Sequence, residues 1–324
     1  MTTAPAPGFH APLADGEELR EVVYRGDKPV RLDRALAACL GVSRRRAMEL
    51  VERDRVRVEG RRAPKGADVP PGSRLVVRMP PPESPAPQPS LPLAILYADA
   101  AVVVADKPAG MPSHPLEPGE LGTVANVLVA RFPDLAAAGG PPREAGLVHR
   151  LDVDTSGCLL AARTSAAREN LRAQFDSHNV EKIYLALVVG ELRDEGEVSA
   201  PIAHDPDDPR RVRVATDPDW ASEHRARPAQ SFYAPVEWVG GPPAYTLVRV
   251  RIPTGVLHQI RAHLAHVGHP VAGDALYGGP RVPGLKRHFL HAASIAFDHP
   301  TTGERVCFES PLPPDLRDAL ARLR

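Results

Sequence analysis

The sequence predicts an α+β protein with a mixed, mainly antiparallel sheet, preceded by a small N-terminal α/β module. Three observations carry this. Short apolar, β-branched runs recur along the later two thirds of the chain without regular helices between them, which argues against a doubly wound parallel sheet. Before them stand two short stretches of helical period and a small alternating ribbon. Between the two regions lies PPPESPAPQPSLP, Pro80 to Pro92, more than half proline. Its locked φ angles and missing donors exclude it from helix and ladder alike and make it a stiff, extended linker.

Taken in order, residues 1–18 are small, Pro-rich and acidic, and are expected to be disordered. RLDRALAACL then places Leu32, Leu36 and Leu40 on one helical face, with Gly41 as the stop. VSRRRAMELVERDRV offers Ser43 as an N-cap and an apolar stripe of Ala47, Leu50 and Val51. Arg44, Arg45 and Arg46 circle the first turn of that helix, where cations oppose the macrodipole; phosphate binding would offset this. RVRVEGRRAP alternates Arg55 and Arg57 with Val56 and Val58, turns at Gly60 and continues through Arg61 and Arg62. GSRLVVRM reads as the closing strand. The expected boundaries are 1–18, 19–79, 80–92 and 93–324.

Beyond the linker, strands are expected at AVVVAD, GLVHRLD, CLLAART, KIYLALVVG, YTLVRVRI, HFLHAASIAF and ERVCFES. Helices are expected at SAARENLRAQF, with Ser165 as N-cap and Leu171 and Phe175 four apart, and at HQIRAHLAHVG.

The composition, 43% hydrophobic and 25% charged, is that of an ordinary globular chain. The longest apolar stretches, Leu93 to Leu96 and Ala100 to Ala105, fall far short of the roughly 18 residues of a membrane span. The first residues show neither a basic nor an apolar leader segment. A soluble, cytoplasmic protein without a membrane partner is expected. Cys39, Cys158 and Cys307 are scattered and suggest neither disulfides nor a thiolate metal site. The net charge is +0, but residues 28–79 carry 14 Lys/Arg against 6 Asp/Glu. That balance of +8, against −8 elsewhere, is the footprint of a phosphate-seeking module.

The residues able to carry chemistry concentrate in four segments. LVHRLDVDTSG, Leu147 to Gly157, puts Asp152 at an apolar strand end before a turn-forming VDTSG. DKPAGMPSH, Asp106 to His114, is a rigid turn after a strand. EKIYLALVVG carries Tyr184 in an otherwise apolar strand, and TGVLHQIRAHLAHVGHPVAGDALYGG, Thr254 to Gly279, runs from a strand into a helix bearing Arg261. Together and in this order they resemble the RluA family of RNA pseudouridine synthases over most of Leu93 to Pro311. RPAQSFY and LHAASIAFDHPTTGE also resemble family segments. The basic module, about Arg31 to Met79, resembles the RNA-binding domain first seen in ribosomal protein S-four.

The first resemblance implies a pseudouridine synthase fold and an isomerase that converts uridines in structured RNA, ribosomal ahead of transfer RNA, without cofactor or metal. It implies that Asp152 is the nucleophile or base, that Arg261 keeps it ionised, and that Tyr184 stacks on the uracil. Arg150 would fill the vacated stack or hold phosphate, with His149 as a supporting side chain on the same RNA-facing side. Whether Asp152 attacks the sugar or removes its proton stays open. The second resemblance implies RNA contacts from Arg44, Arg45, Arg46, Arg55, Arg57, Arg61 and Arg62. Asp154 reads as a turn residue, and His258, His263, His266 and His269 lack metal-ligand spacing. One departure stands out: Val256 occupies a position where the family usually has arginine. A non-catalytic RNA-binding or ribosome assembly protein is the alternative, and a nucleoside hydrolase a third reading. A monomer is expected.

Overall fold

The structure, a computed structural model, describes residues 9, 12, 13, 17–80, 84–117, 119–240 and 243–324. It divides into two compact units, residues 1–83 and 84–324. Most of the segment expected to be disordered lies outside the described residues. Phe9, which is described, is buried under the Arg57 guanidinium, 4.2 Å from its ring centre, and Glu17 pairs with Arg55 and Arg78.

The first unit comprises β1 (Glu18–Val23), β2 (Val30–Arg31), α1 (Leu32–Leu40), α2 (Arg44–Glu52), β3 (Val56–Val58), β4 (Arg61–Arg62), β5 (Asp68–Val69) and β6 (Arg74–Met79). β1, β6, β3 and β4 form an antiparallel sheet in that order. Leu32 and Leu36 from α1 and Ala47 and Leu50 from α2 pack with Val56, Leu75 and Val77. α1 ends because Gly41 adopts φ 66°, a left-handed conformation that costs a glycine little. α2 starts where Ser43 accepts the Arg46 N–H at 3.1 Å.

The second unit comprises β7 (Ala94–Ala98), β8 (Val102–Lys107), α3 (Val124–Arg131), β9 (Ser156–Ala162), α4 (Ser165–Asp176), β10 (Glu181–Val189), β11 (Gly196–Ser199), β12 (Ile202–His204), β13 (Val212–Val214), α5 (Pro218–Glu223), β14 (Gln230–Val239), β15 (Tyr245–Arg251), α6 (Gln259–His266), β16 (Leu290–Asp298), β17 (Arg305–Glu309) and α7 (Pro314–Leu323). The main sheet runs β11-β14-β15-β10-β16-β9-β8-β7, with β17 also on β16. Its β9–β16 pairing is parallel and its other named pairings antiparallel, which is the mixed, mainly antiparallel sheet the sequence predicts. β12 and β13 form a separate hairpin.

Three local expectations change. GLVHRLD is not a strand: Leu147 makes one bridge to Ala161, and the chain then turns. The reason is visible at Leu160, whose N–H donates to His149 Nε2 at 3.0 Å, so a side chain takes the place of a ladder partner. The N-cap of α4 is Thr164, which accepts the Ala167 N–H at 3.1 Å, one residue before the expected Ser165. Finally, the described part of the segment expected as a stiff, extended linker makes hydrogen bonds to the start of α3 and the residue before its cap. Asn126 Nδ2 donates to Ala86 O at 2.8 Å, Gln88 N–H to Asn126 O at 2.9 Å, and Gly122 N–H to Gln88 Oε1 at 2.8 Å. Proline leaves carbonyls without local donors, and the start of α3 supplies one.

Candidate active site

Three neighbouring strands set the site. Gly157 of β9 pairs with Ala292 of β16, and Ala292 pairs with Tyr184 of β10. The register of β10 shifts between Ile183 and Tyr184, re-aiming the chain where the tyrosine sits. Gly157 has φ 117°, and a Cβ there would fall 2.1 Å from Ala292 O. Only glycine lets β9 start this close to β16, and the turn just before it, closed by Thr155 N–H donating to Asp152 O at 3.1 Å, carries Asp152.

Asp152 and Arg261 are 109 positions apart and meet. Arg261 Nη1 donates to Asp152 Oδ2 at 3.0 Å. Its Nε and Nη2 donate to Asp274 Oδ2 and Oδ1 at 2.6 and 2.9 Å, a bidentate clamp that fixes the guanidinium plane. Burial works against the Arg261 charge, but Asp274 and Asp152 outweigh it and hold its pKa above the ordinary arginine value. One Asp152 oxygen, Oδ2, is therefore tethered, and the other, Oδ1, has no donor among the described residues.

Tyr184 is buried, and burial, followed by the charge of Asp152, pushes its phenol well above the usual range, so it stays protonated at neutral pH. Asp152, Tyr184 and Arg261 line one cleft of about 1030 Å³, roomy enough for a nucleotide. Arg150 is exposed on its wall without an ion-pair partner among the described residues, and Arg172, Lys182, Arg225 and Arg227 also line it. His149 lines it too, but its Nε2 is committed to Leu160 and its ring lies 5.3 Å from that of Phe175. Burial pushes it down to about 3, so it is a neutral acceptor holding the loop.

Several residues of the site escaped sequence reasoning. Lys107 is fully buried, and its Nζ donates to Pro108 O, Met111 O and Val153 O at 2.9, 2.7 and 2.7 Å. It clamps the backbone next to Asp152. Arg287 donates to Asp154 O at 2.9 Å and Ser156 Oγ at 3.2 Å while paired with Asp315, and His288 Nε2 meets Thr155 Oγ1 at 3.0 Å. Lys107 lies in DKPAGMPSH, which reads as a turn, and Arg287 and His288 in the basic run KRH, which by itself marks no site. Val256 is half-buried against the apolar cluster of Ile202, Val212, Ala229, Ala262 and Tyr277, so at this departure from the family pattern the chain has an apolar contact.

The histidines go to separate partners: His258 to Tyr277 Oη, His263 to Ser231 Oγ and Ala200 O, His269 to Val189 O. Among the described residues no three His, Cys, Asp or Glu side chains gather as metal ligands would, and no helix is long and apolar enough to cross a membrane.

In the first unit the arginines divide. Arg57 departs from the RNA-facing expectation: it is buried, paired with Asp54, and covers Phe9. Arg55 is paired with Glu17 at 2.7 Å, Arg44 with Asp33, Arg46 with Glu49 and Arg62 with Asp54. Arg45 and Arg61 are exposed and have no ion-pair partner among the described residues.

Residues 101–266 match the family model for RNA pseudouridylate synthase. An uncharacterized RNA pseudouridine synthase of Chloroflexus aurantiacus is 39% identical over 96% of this chain and 96% of its own length. Ribosomal large subunit pseudouridine synthase D of Xanthomonas campestris is 40% identical over 74% of this chain and 71% of its own. Among solved structures, human RNA pseudouridylate synthase domain containing 1 superposes with a TM-score of 0.54 at 26% identity, over 70% of this chain and 87% of that one.

Proposed function

We propose that this chain, which belongs to the RNA pseudouridylate synthase family, isomerises particular uridines of large-subunit ribosomal RNA in the cytoplasm, with Asp152 as the reacting group and no cofactor. The substrate rests on relatives such as that of Xanthomonas campestris, whose name specifies the ribosomal large subunit. The observation that carries the mechanism is the asymmetry of Asp152, which lines the cleft: Oδ2 is held by Arg261 at 3.0 Å, and among the described residues no donor reaches Oδ1.

A stacked uridine cannot reach Asp152, so it is extruded, at a cost of a few kcal/mol. Arg150 takes the vacated place or holds a phosphate. The uracil enters beside the Tyr184 ring, which supplies an apolar face. Arg261 Nη1 holds Asp152 Oδ2 at 3.0 Å and so fixes the orientation of the carboxylate beside the base. Oδ1 then acts on the ribose as nucleophile or base, the base rotates, and carbon replaces nitrogen at C1′. The basic module, residues 19–79, adds phosphate affinity. Arg45 and Arg61 are available at once, and Arg62 by exchanging the exposed Asp54 for phosphate, whereas Arg44 is bound to the buried Asp33.

Asp152→Asn tests this directly. The expected outcome is complete loss of pseudouridine in digested ribosomal RNA with RNA affinity retained within about threefold, as the phosphate contacts are untouched. Turnover in that variant would refute the role of Asp152, and release of free uracil by the wild type would replace isomerisation with hydrolysis.

A further inference from the structure

One polar group of the cleft has no task in that scheme. His258 precedes α6 with φ 52°, and its Nδ1 lies 3.0 Å from Tyr277 Oη. The Val212 N–H donates to the same hydroxyl oxygen at 2.9 Å. A backbone N–H can only donate, so the phenolic proton must find another acceptor, and among the described residues that is His258 Nδ1. An imidazole that accepts at Nδ1 carries its proton on Nε2. Burial holds His258 below the ordinary histidine range despite Asp152 nearby, with Arg261 and Arg150 acting in the same direction as burial and Asp274 against it, which keeps the ring neutral.

That Nε2–H is uncommitted. It lies 3.8 Å from Asp152 Oδ2, beyond hydrogen-bond reach, and that oxygen already has Arg261. Arg261 in turn has Nε and Nη2 on Asp274 and Nη1 on Asp152. The cleft therefore holds a fixed neutral donor beside the reacting carboxylate, while the neighbouring guanidinium is occupied.

We propose that His258 is a further catalytic residue, its Nε2–H donating to a ring carbonyl oxygen of the extruded uracil while the ring is detached. The inference rests on the pseudouridine-forming reading above. When C1′–N1 breaks, its electron pair leaves with N1 and spreads onto O2 and O4, whichever way Asp152 acts. Reattachment forms C1′–C5, C5 gives up its proton and N1 gains one; atoms and charge balance, and His258 keeps its own proton. A donor set where charge develops favours the detached state over the ground state.

The full-length chain and large-subunit ribosomal RNA transcripts provide the test, read by nucleoside chromatography after digestion. His258→Asn tolerates left-handed backbone and retains an acceptor for Tyr277, yet has no donor at the Nε2 position. Its kcat should fall about 100-fold with RNA Kd unchanged. His258→Gln, whose amide nitrogen falls near Nε2, should recover at least about tenfold of that loss. Transcripts carrying 2-thiouridine or 4-thiouridine in place of uridine present a weaker acceptor. One of them should slow the wild type while slowing His258→Asn no further. Tyr277→Phe, which leaves His258 in place but frees its proton to move to Nδ1, should lose at least about tenfold in kcat, and it keeps the idea testable if His258 variants fold poorly. Wild-type kcat in His258→Asn or in Tyr277→Phe, or a thio effect equal in both enzymes, would overturn the inference alone. Absence of pseudouridine with the wild type would overturn the functional reading and the inference with it.

Discussion

In the basic module Arg53 and Arg62 meet carboxylates at the surface; in the second unit Arg261 meets two carboxylates under cover. The side chains of Arg53 and Glu49 are 57% and 33% exposed in their pair and those of Arg62 and Asp54 74% and 44%, whereas those of Arg261 and Asp274 are 8% and 2% exposed. Water screens the first kind, and each such pair contributes about 0–1 kcal/mol. Breaking the second kind strands a buried charge and costs about 3–5 kcal/mol. The difference teaches what each region is built to do. A surface arginine can trade its carboxylate for a phosphate with little loss, so it serves an RNA that comes and goes. Arg261 cannot move, so it can hold Asp152 in one orientation through every turnover.

Removing Asp274 is the largest blow to that contrast. Asp274→Asn leaves Arg261 with Asp152 as its remaining charged partner and a guanidinium no longer fixed in plane. Stability should drop by about 3–5 kcal/mol in urea unfolding, and turnover by roughly 100-fold as Asp152 loses its placement. Arg62→Ala, the surface counterpart, should lose less than about 1 kcal/mol. Equal losses in the two variants would erase the distinction between exchangeable and fixed pairs.

Asp152 in HRLDVDTSG, Tyr184 in an apolar strand and Arg261 on the helix after TGVLHQ are singled out by the family resemblance of their segments, and the fold brings all three to one cleft. What surrounds them is not legible. Lys107 reads as the polar end of AVVVADK, and nothing near it tells that Val153, 46 positions on, turns a carbonyl toward its Nζ. Asp274 reads as one acid among histidines until the fold brings it to Arg261. The fold follows the same division. Helices α1, α2, α4 and α6 and most sheet strands follow from periodicity, while β12, β13, α5 and α7 lie in polar or mixed segments: α7 packs Leu316 and Leu320 into the core, and α5 buries no residue and starts at an Asp217 cap. GLVHRLD fails as a strand because its own histidine side chain replaces a backbone partner.

That histidine gives a smaller, pH-dependent effect on the buried side of the comparison. Burial, with the Lys182 and Arg172 charges, holds His149 down to about 3 in the folded chain, whereas an unfolded histidine titrates near about 6.5. Between those values the unfolded state binds a proton that the folded state refuses. Stability is therefore full above about pH 6.5 and falls as pH drops, by up to about 1.4 kcal/mol per pH unit. His149→Gln keeps an acceptor for the Leu160 N–H without titrating. Its unfolding free energy should fall less steeply than that of the wild type between about pH 6 and pH 4. Parallel slopes would mean that His149 is not held neutral by the fold.

The smallest effect belongs to the surface arginines that have no carboxylate to give up. Arg45 and Arg61 have no ion-pair partner among the described residues, so replacing them with alanine breaks no pair within the module. Unfolding free energy should stay within about 0.5 kcal/mol. If both meet phosphate, each contact releases counterions, and the slope of log K against log salt should become shallower by about 0.7–0.9 per contact. Arg57→Ala provides the opposite control: its guanidinium is buried over Phe9 and paired with Asp54, so it should lose stability and leave the salt slope of the folded protein where it was. A slope that shifts with Arg57 but not with Arg45 and Arg61 would reverse the assignment of exchangeable and fixed cations within the module itself.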